Sequence, residues 1–332
     1  MSKPKLLVAR RVFDETLSRL SEHFDVVANQ ADTVFKPDEL AAKLAGCQAA
    51  FITGSERIDE ALLATCPDLR MVATMFVGYN NIDVAACTRR GVLASYAPDV
   101  LTETTADLGF ALVLATARRL GEGERFIREG RWNAWTIDLL AGFDVHGSTL
   151  GILGMGRIGQ AIARRGVLGF GMKVVYHNRS RLEASAEAAL GGARWVSKDE
   201  LLAQADHLVI VVPYSPQTHH AIGAAELARM KPTATLINIA RGGVVDDAAL
   251  AQALARRTIA AAGLDVFEGE PQVHPALLEV PNIVLAPHVG SATVATRRAM
   301  ADRAVTNLIE AFAGRRPPTP INAELWPQWL TP

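Results

Sequence analysis

Three apolar runs in the second half of the chain each stop at a side chain able to do acid–base or anion chemistry. "TLINIA" is followed by Arg241, "AAGLDVFEGEP" carries Asp265, Glu268 and Glu270, and "NIVLAP" is followed by His288. Read as strands of one sheet, these runs deliver a guanidinium, a carboxylate and an imidazole to one edge. Ligands of open α/β sheets sit outside the carboxyl ends of the strands. A guanidinium is a planar fork of donors that grips a carboxylate and polarises a neighbouring carbonyl. An imidazole exchanges a proton near neutrality, and a carboxylate bonded to it fixes its tautomer. Beside a hydride donor this set suits reduction of a 2-oxo acid, with His288 giving a proton to the carbonyl oxygen. In reverse, neutral His288 takes the hydroxyl proton. Glu268 and Glu270 both fit the carboxylate role, and spacing does not choose between them. Asp265, at the strand end itself, fits a cofactor contact. "TMFVGYNNID" supplies a loop in which Gly78 lets backbone amides approach a carboxylate.

The hydride donor has its own signature. "TLGILGMGRIGQAIARR" places Gly154, Gly156 and Gly159 in G-x-G-x-x-G spacing, after an apolar strand run and at the start of a helical pattern. The first glycine allows the turn, the second lets a pyrophosphate approach, and the third lets helix pack on strand. An acid that grips the ribose 2′-hydroxyl is expected about 20 residues further on. Asn178 stands there instead, 19 residues beyond Gly159, followed by Arg179, Ser180 and Arg181. A neutral side chain with two guanidiniums and a hydroxyl beside it suits a 2′-phosphate. NADP(H) is therefore the expected cofactor, with NAD(H) as the second choice.

These groups need elements to hold them. "TLGILG", "KVVYHN", "HLVIVV", "ATLINIA", "AAGLDV" and "NIVLAP" read as six strands, mostly apolar throughout, as strands covered on both faces are. Helical patterns such as "IGQAIARRGVL" and "DDAALAQALARR" separate most of them, which fits a doubly wound dinucleotide-binding sheet. The first hundred residues alternate in the same way, with strands at "KLLVA", "FDVVA", "AAFIT" and "RMVATM" and helices at "DETLSRLSEH" and "PDELAAKLA". "TETTADLGFALVLATARRLGEGERFIREG" reads as one long amphipathic helix joining two domains, and "RWNAWTIDLLAGFDVHG" as an irregular aromatic loop. Trp132 and Trp135 in that loop read as packing or interface residues. His219 and His220 read as surface or packing residues. "TRRAMADRAVTNLIEAFAG" is a closing helix before a Pro-containing tail.

Composition narrows the class. A chain of 332 residues suits two domains, and 49% apolar content permits large cores. The net charge of −1, without a block of one sign, argues against a nucleic-acid partner or an anionic membrane surface. No apolar run is long enough to span a bilayer. Cys47, Cys66 and Cys87 fit no zinc or disulfide spacing, so buried thiols, no metal and a cytoplasmic setting are expected.

"VGYNNIDVAA", "TETTADLGFALVLATARR", "LGMGRIGQAIARR", "INIARGGVVD", "AAGLDVFEGEP" and "PHVGSAT", in this order over nearly the whole chain, resemble the D-isomer-specific 2-hydroxyacid dehydrogenases. Within that family the chain looks like the glyoxylate/hydroxypyruvate reductase and 2-ketogluconate reductase branch. The resemblance implies an α/β fold of two doubly wound parallel-sheet domains. A Rossmann NAD(P)-binding domain would span 101–287, and a discontinuous flavodoxin-like substrate domain 1–100 and 288–332, with the active site in the cleft between them. It implies catalytic roles for Arg241, Glu270 (the acid before the proline) and His288. Cofactor contacts would come from Arg157, Ile158, Asn178 to Arg181, Val212, Pro213, Thr218, Ile239, Ala240, Asp265 and Gly290. Substrate would meet Val77, Gly78, Arg241 and Ser291. The resemblance further implies a homodimer in which Trp135 reaches the partner's pocket. An NAD-dependent phosphoglycerate or other D-hydroxyacid dehydrogenase is the alternative enzyme. A dinucleotide-sensing, corepressor-like binding protein is the alternative from another class.

Overall fold

The computed structural model describes residues 3–329. The chain divides into two compact units, one made of the stretch up to Leu101 with the stretch from Thr293 onward, the other Thr102–Ala292.

The first unit is a five-stranded sheet of β1 (Lys5–Val8), β2 (Asp25–Ala28), β3 (Ala49–Ile52), β4 (Met71–Thr74) and β5 (Leu93–Ser95). All pairs are parallel, in the order β2-β1-β3-β4-β5, the flavodoxin-like arrangement. β3 and β4 are buried at every residue, as strands covered on both faces must be. The helix Val294–Phe312 packs on β3 and β4 and on the helix Asp14–His23. Phe24 meets Phe312 edge-on at 5.3 Å between ring centroids. The chain beyond this helix is tied down as well. Trp329 is buried, its indole donates to the Arg70 carbonyl at 2.8 Å, and the Arg70 guanidinium lies 4.5 Å over its ring. The three cysteines are free and buried, and burial pushes the Cys87 thiol up to about 12.

The second unit is a seven-stranded parallel sheet of β6 (Thr149–Leu153), β7 (Lys173–His177), β8 (Arg194–Trp195), β9 (His207–Ile210), β10 (Thr235–Asn238), β11 (Ala261–Leu264) and β12 (Ile283–Leu285). The order β12-β11-β10-β9-β6-β7-β8 is that of a Rossmann sheet extended by one strand. The direction of winding reverses at β6, between β7 and β9, the point at which such sheets bind ligands. β8 adds a seventh strand to the six read from the sequence. With two residues it is too short to show a period.

The long helical pattern after Leu101 is two helices, Thr102–Ala117 and Leu120–Arg128. Arg119 breaks it by adopting a left-handed conformation at φ 53°, stabilised by a two-pronged pair with Glu122 at 3.0 and 2.8 Å. The first helix is not a one-faced surface helix. It packs on β10, on β11 and on the helix Arg157–Phe170, and only a narrow stripe of Glu103, Asp107 and Ala111 is exposed.

The unit boundary falls five residues later than the sequence reading places it, so His288, Gly290 and Ser291 belong with the second unit. The reason lies in Asp265. Its carbonyl accepts the His288 amide at 2.9 Å, and its carboxylate accepts the amides of Val289 and Gly290 at 2.7 and 2.8 Å.

Candidate active site

The glycine turn leaves β6 with Gly154 at φ +104°. A side chain on Gly159 would stand 2.4 Å from the Gly154 carbonyl, whereas one on Gly156 would meet nothing within 4 Å. Gly159 is therefore a packing residue and Gly156 faces open space. Gly156 also begins the helix Arg157–Phe170 without any side-chain cap, so the first amides of that helix, among them those of Ile158 and Gly159, are left for an anion. This cradle fits a pyrophosphate.

At the end of β7, Asn178 accepts the Met155 amide at 2.7 Å through Oδ1, which ties the second strand to the glycine turn. Arg179 and Ser180 are exposed. Arg181 is engaged elsewhere than the sequence reading expects. Its Nε and Nη2 donate to Glu187 at 2.9 and 2.7 Å, and Glu187 also accepts the Tyr176 hydroxyl at 2.7 Å. The Arg181 and Tyr176 bonds hold the Glu187 carboxyl down at about 2. The loop after β9 folds on itself. Thr218 Oγ accepts the Ser215 amide at 2.7 Å and donates to the Pro213 carbonyl at 2.8 Å, with Val212 half-buried before it.

Ile239 and Ala240, both buried, lead from β10 to Arg241. The Arg241 Nη1 donates to the Ala240 carbonyl at 2.6 Å. Burial lowers the pKa of this guanidinium, and the charge of Glu270 opposes the shift. Gly242 shows why the β10 and β11 loops travel together: a Cβ there would lie 1.7 Å from the Phe267 carbonyl oxygen. Only glycine permits that backbone contact. Phe267 in turn donates its amide to Glu270 Oε1 at 2.8 Å.

Glu270 Oε2 lies 2.7 Å from His288 Nδ1. Burial pushes the Glu270 carboxyl up, but the His288 bond and the charges of His288 and Arg241 outweigh it and hold the group below its ordinary range. Glu270 is thus an anion, and an ionised carboxylate only accepts. Nδ1 of His288 must carry the proton, which leaves Nε2 free to exchange one. Glu268 has other partners: His220 Nε2 at 2.9 Å, and Asp247, which accepts its amide at 3.0 Å. Asp265, expected at the cofactor, has both carboxylate oxygens occupied by the amides after His288. Burial raises its pKa, with those two amides opposing. It shapes the turn that presents His288 at φ 53°. Ser291 is half-buried in the same turn. In the first unit, Val77 and Gly78 are half-buried in the loop after β4.

The chain is similar to known proteins. Residues 110–290 match the family model described as D-isomer specific 2-hydroxyacid dehydrogenase, NAD binding domain. The chain is 46% identical over 327 residues to the glyoxylate reductase of Thermococcus onnurineus, covering 97% of each. The chain belongs to the D-isomer specific 2-hydroxyacid dehydrogenases. Similarity extends to the glyoxylate reductase of Pyrococcus furiosus, 43% identical over 97% of this chain and 96% of that one. It also extends to an NADPH-dependent glyoxylate/hydroxypyruvate reductase from Sinorhizobium meliloti solved with NADP and malonate. That structure has a TM-score of 0.86 and 37% identity, over 97% of this chain and 98% of that one.

As a 2-hydroxyacid dehydrogenase the chain is an NAD(P)-dependent oxidoreductase, and the Gly154–Gly159 cradle fits its nicotinamide dinucleotide. Among the described residues no helix is long and apolar enough to cross a membrane. Three pairings around this dehydrogenase site carry no local signal in the sequence. Glu187 meets Tyr176 across 11 residues, Glu268 meets His220 across 48, and Asp247 receives the Glu268 amide across 21.

Proposed function

We propose that this dehydrogenase reduces glyoxylate, hydroxypyruvate or 2-keto-D-gluconate to the D-2-hydroxy acid, with NADPH as the preferred donor. The observation that carries the reading is the 2.7 Å contact between His288 Nδ1 and Glu270, whose charge acts on the half-buried guanidinium of Arg241. When bound, the nicotinamide supplies the hydride. Arg241 grips the substrate carboxylate and polarises the adjacent carbonyl. The Ser291 hydroxyl completes the grip. His288, protonated on both nitrogens, passes the Nε2 proton to the carbonyl oxygen. Glu270 keeps Nδ1 protonated throughout and stabilises the charged ring. In oxidation, neutral His288 accepts the hydroxyl proton at Nε2.

Exposed Arg179 and Ser180 are the groups we assign to the 2′-phosphate. Arg157, Ile158, Asn178, Val212, Pro213, Thr218, Ile239, Ala240 and Gly290 form the rest of the cofactor contacts in this reading. The first unit is then the substrate domain and the second the cofactor domain. A homodimer and a cytoplasmic setting belong to the same reading. Trp135 is 76% exposed and Ile137 89% exposed in the single chain, as residues that meet a partner subunit would be. A second reading, use of NADH, draws on the engagement of Arg181 by Glu187, which removes one of the two cations.

Initial rates with NADPH and NADH against glyoxylate, hydroxypyruvate, 2-ketogluconate and pyruvate test the proposal. A higher kcat/KM with NADPH and one of the first three acids is the expected result. A clear preference for NADH would move the assignment to the second reading, and no turnover with any of the four would end it.

A further inference from the structure

The loops after β9, β10 and β11 meet in a second cluster, which the proposed reaction does not use. His219 and His220 stack with ring centroids 3.9 Å apart and planes 23° apart. His220 Nε2 lies 2.9 Å from Glu268 Oε2, and its Nδ1 lies 3.9 Å from Asp246 Oδ2. His219 Nδ1 lies 3.2 Å from the Tyr214 hydroxyl. One nitrogen from each ring and one Glu268 oxygen all fall within 4.8 Å of one another. Gly243, at φ +76°, keeps the space beside them clear: a Cβ there would stand 3.6 Å from His219 Nδ1 and 3.8 Å from Glu268 Oε1.

We propose that His219, His220 and Glu268 bind one divalent transition-metal ion of the zinc class. Two imidazole nitrogens and a carboxylate oxygen are a donor set such ions take, with a fourth position left to water. Ligand atoms around tetrahedral zinc stand about 3.4 Å apart. The widest separation must therefore close by up to about 1.4 Å, on side chains borne by loops. The outer groups suit coordination too. Asp246 faces Nδ1 of His220, so Nε2 of that ring, already beside Glu268, is its coordinating atom and its other nitrogen has a partner, while the Tyr214 hydroxyl stands by the His219 ring. On binding, the metal replaces the proton between His220 Nε2 and Glu268. That proton moves to Nδ1 on the Asp246 side, and the ring stays neutral.

The site reaches the reacting groups through the backbone. Glu268 precedes Glu270 by two residues. The His220 amide donates to the Gly243 carbonyl at 2.7 Å, two residues after Arg241. Drawing Glu268 inward shifts the loop that aims Glu270 at His288, so the metal slows turnover. Displacements of this size matter at a reacting centre. Metal binding itself is independent of the substrate assignment. The inhibition rests on the function proposed above.

The test uses the full, untagged protein. Calorimetric titration with ZnCl2 and the visible absorption of the Co2+ complex are expected to give one site per chain. Affinity should fall at least about tenfold in His219→Ala and in Glu268→Gln. His219→Ala should keep the reductase rate of the parent protein but lose its inhibition by zinc. His219→Gln, closer in size, guards against a folding defect. Absence of saturable binding by the parent protein, or equal affinity in the variants, would overturn the site. Calorimetry needs no substrate, so a failure of the reductase assignment would leave it unaffected. Inhibition that persists in His219→Ala would place the inhibitory metal elsewhere and overturn the regulatory step.

Discussion

Glu270 divides its two oxygens between the Phe267 amide and the His288 ring. The first bond fixes where the carboxylate stands, and the second fixes which imidazole nitrogen is protonated. Glu270→Gln keeps the shape and removes the charge. It is expected to lower kcat by about 10²-fold or more while leaving KM within a few-fold, because the lost interaction matters when His288 is charged. His288→Ala is expected to lower kcat by about 10²- to 10⁴-fold with the cofactor dissociation constant unchanged. Steady-state kinetics and fluorescence titration of the cofactor check both. Loss of cofactor binding in His288→Ala would give that residue a structural role in place of a proton-transfer one.

At the scale of elements, the turn after β7 and the helix Ala184–Ala189 form one device. The helix carries Glu187 back to Tyr176 and Arg181, so only Arg179 and Ser180 remain available outside. Arg179→Ala should raise the NADPH dissociation constant roughly tenfold or more and hardly change that for NADH, as expected for loss of one charge-assisted bond. Arg181→Ala should act on both cofactors alike, and isothermal titration separates the two patterns. The same device sets a pH dependence. Glu187 titrates at about 2 in the folded chain against 4.5 as a free side chain. A depressed folded pKa means its contribution is complete above about pH 5, shrinks as pH falls from 4.5 toward 2, and is absent below. The difference in urea midpoint between the parent protein and Glu187→Gln should follow that course. A constant difference from pH 7 to pH 3 would show that the carboxylate charge does not matter. The turn residues of this device were legible in the chain, but their tie to Glu187 was not, because it needs a helix folded back on a strand. Arg241, His288 and the glycine turn were legible, since each follows an apolar run that reads as a strand. The choice of Glu270 over Glu268 came from resemblance, not spacing, and in space Glu268 faces His220 instead. β5 and β8, three and two residues long, are too short to declare a period. Arg119 ends a helix without the glycine or proline that normally marks such a break.

At the scale of the molecule, the second unit interrupts the first in sequence, so the first is completed by residues from Thr293 onward. Those residues hold it by specific contacts. Asn322 accepts the Ala94 amide at 2.8 Å and donates to the Val92 carbonyl at 3.0 Å. Trp329 sits between Arg70 and Phe312. Trp329→Ala is expected to cost about 3–5 kcal/mol and to lower the first thermal unfolding transition, as calorimetry would show. An unchanged transition would mean that this segment only rests on the surface. The interruption also orders events during translation. The first 101 residues leave the ribosome before the helix Val294–Phe312 exists to cover β3 and β4. The intervening unit can finish on the tunnel's far side while its predecessor waits with one flank bare, which makes the first 101 residues of the nascent chain the natural client of a holding chaperone.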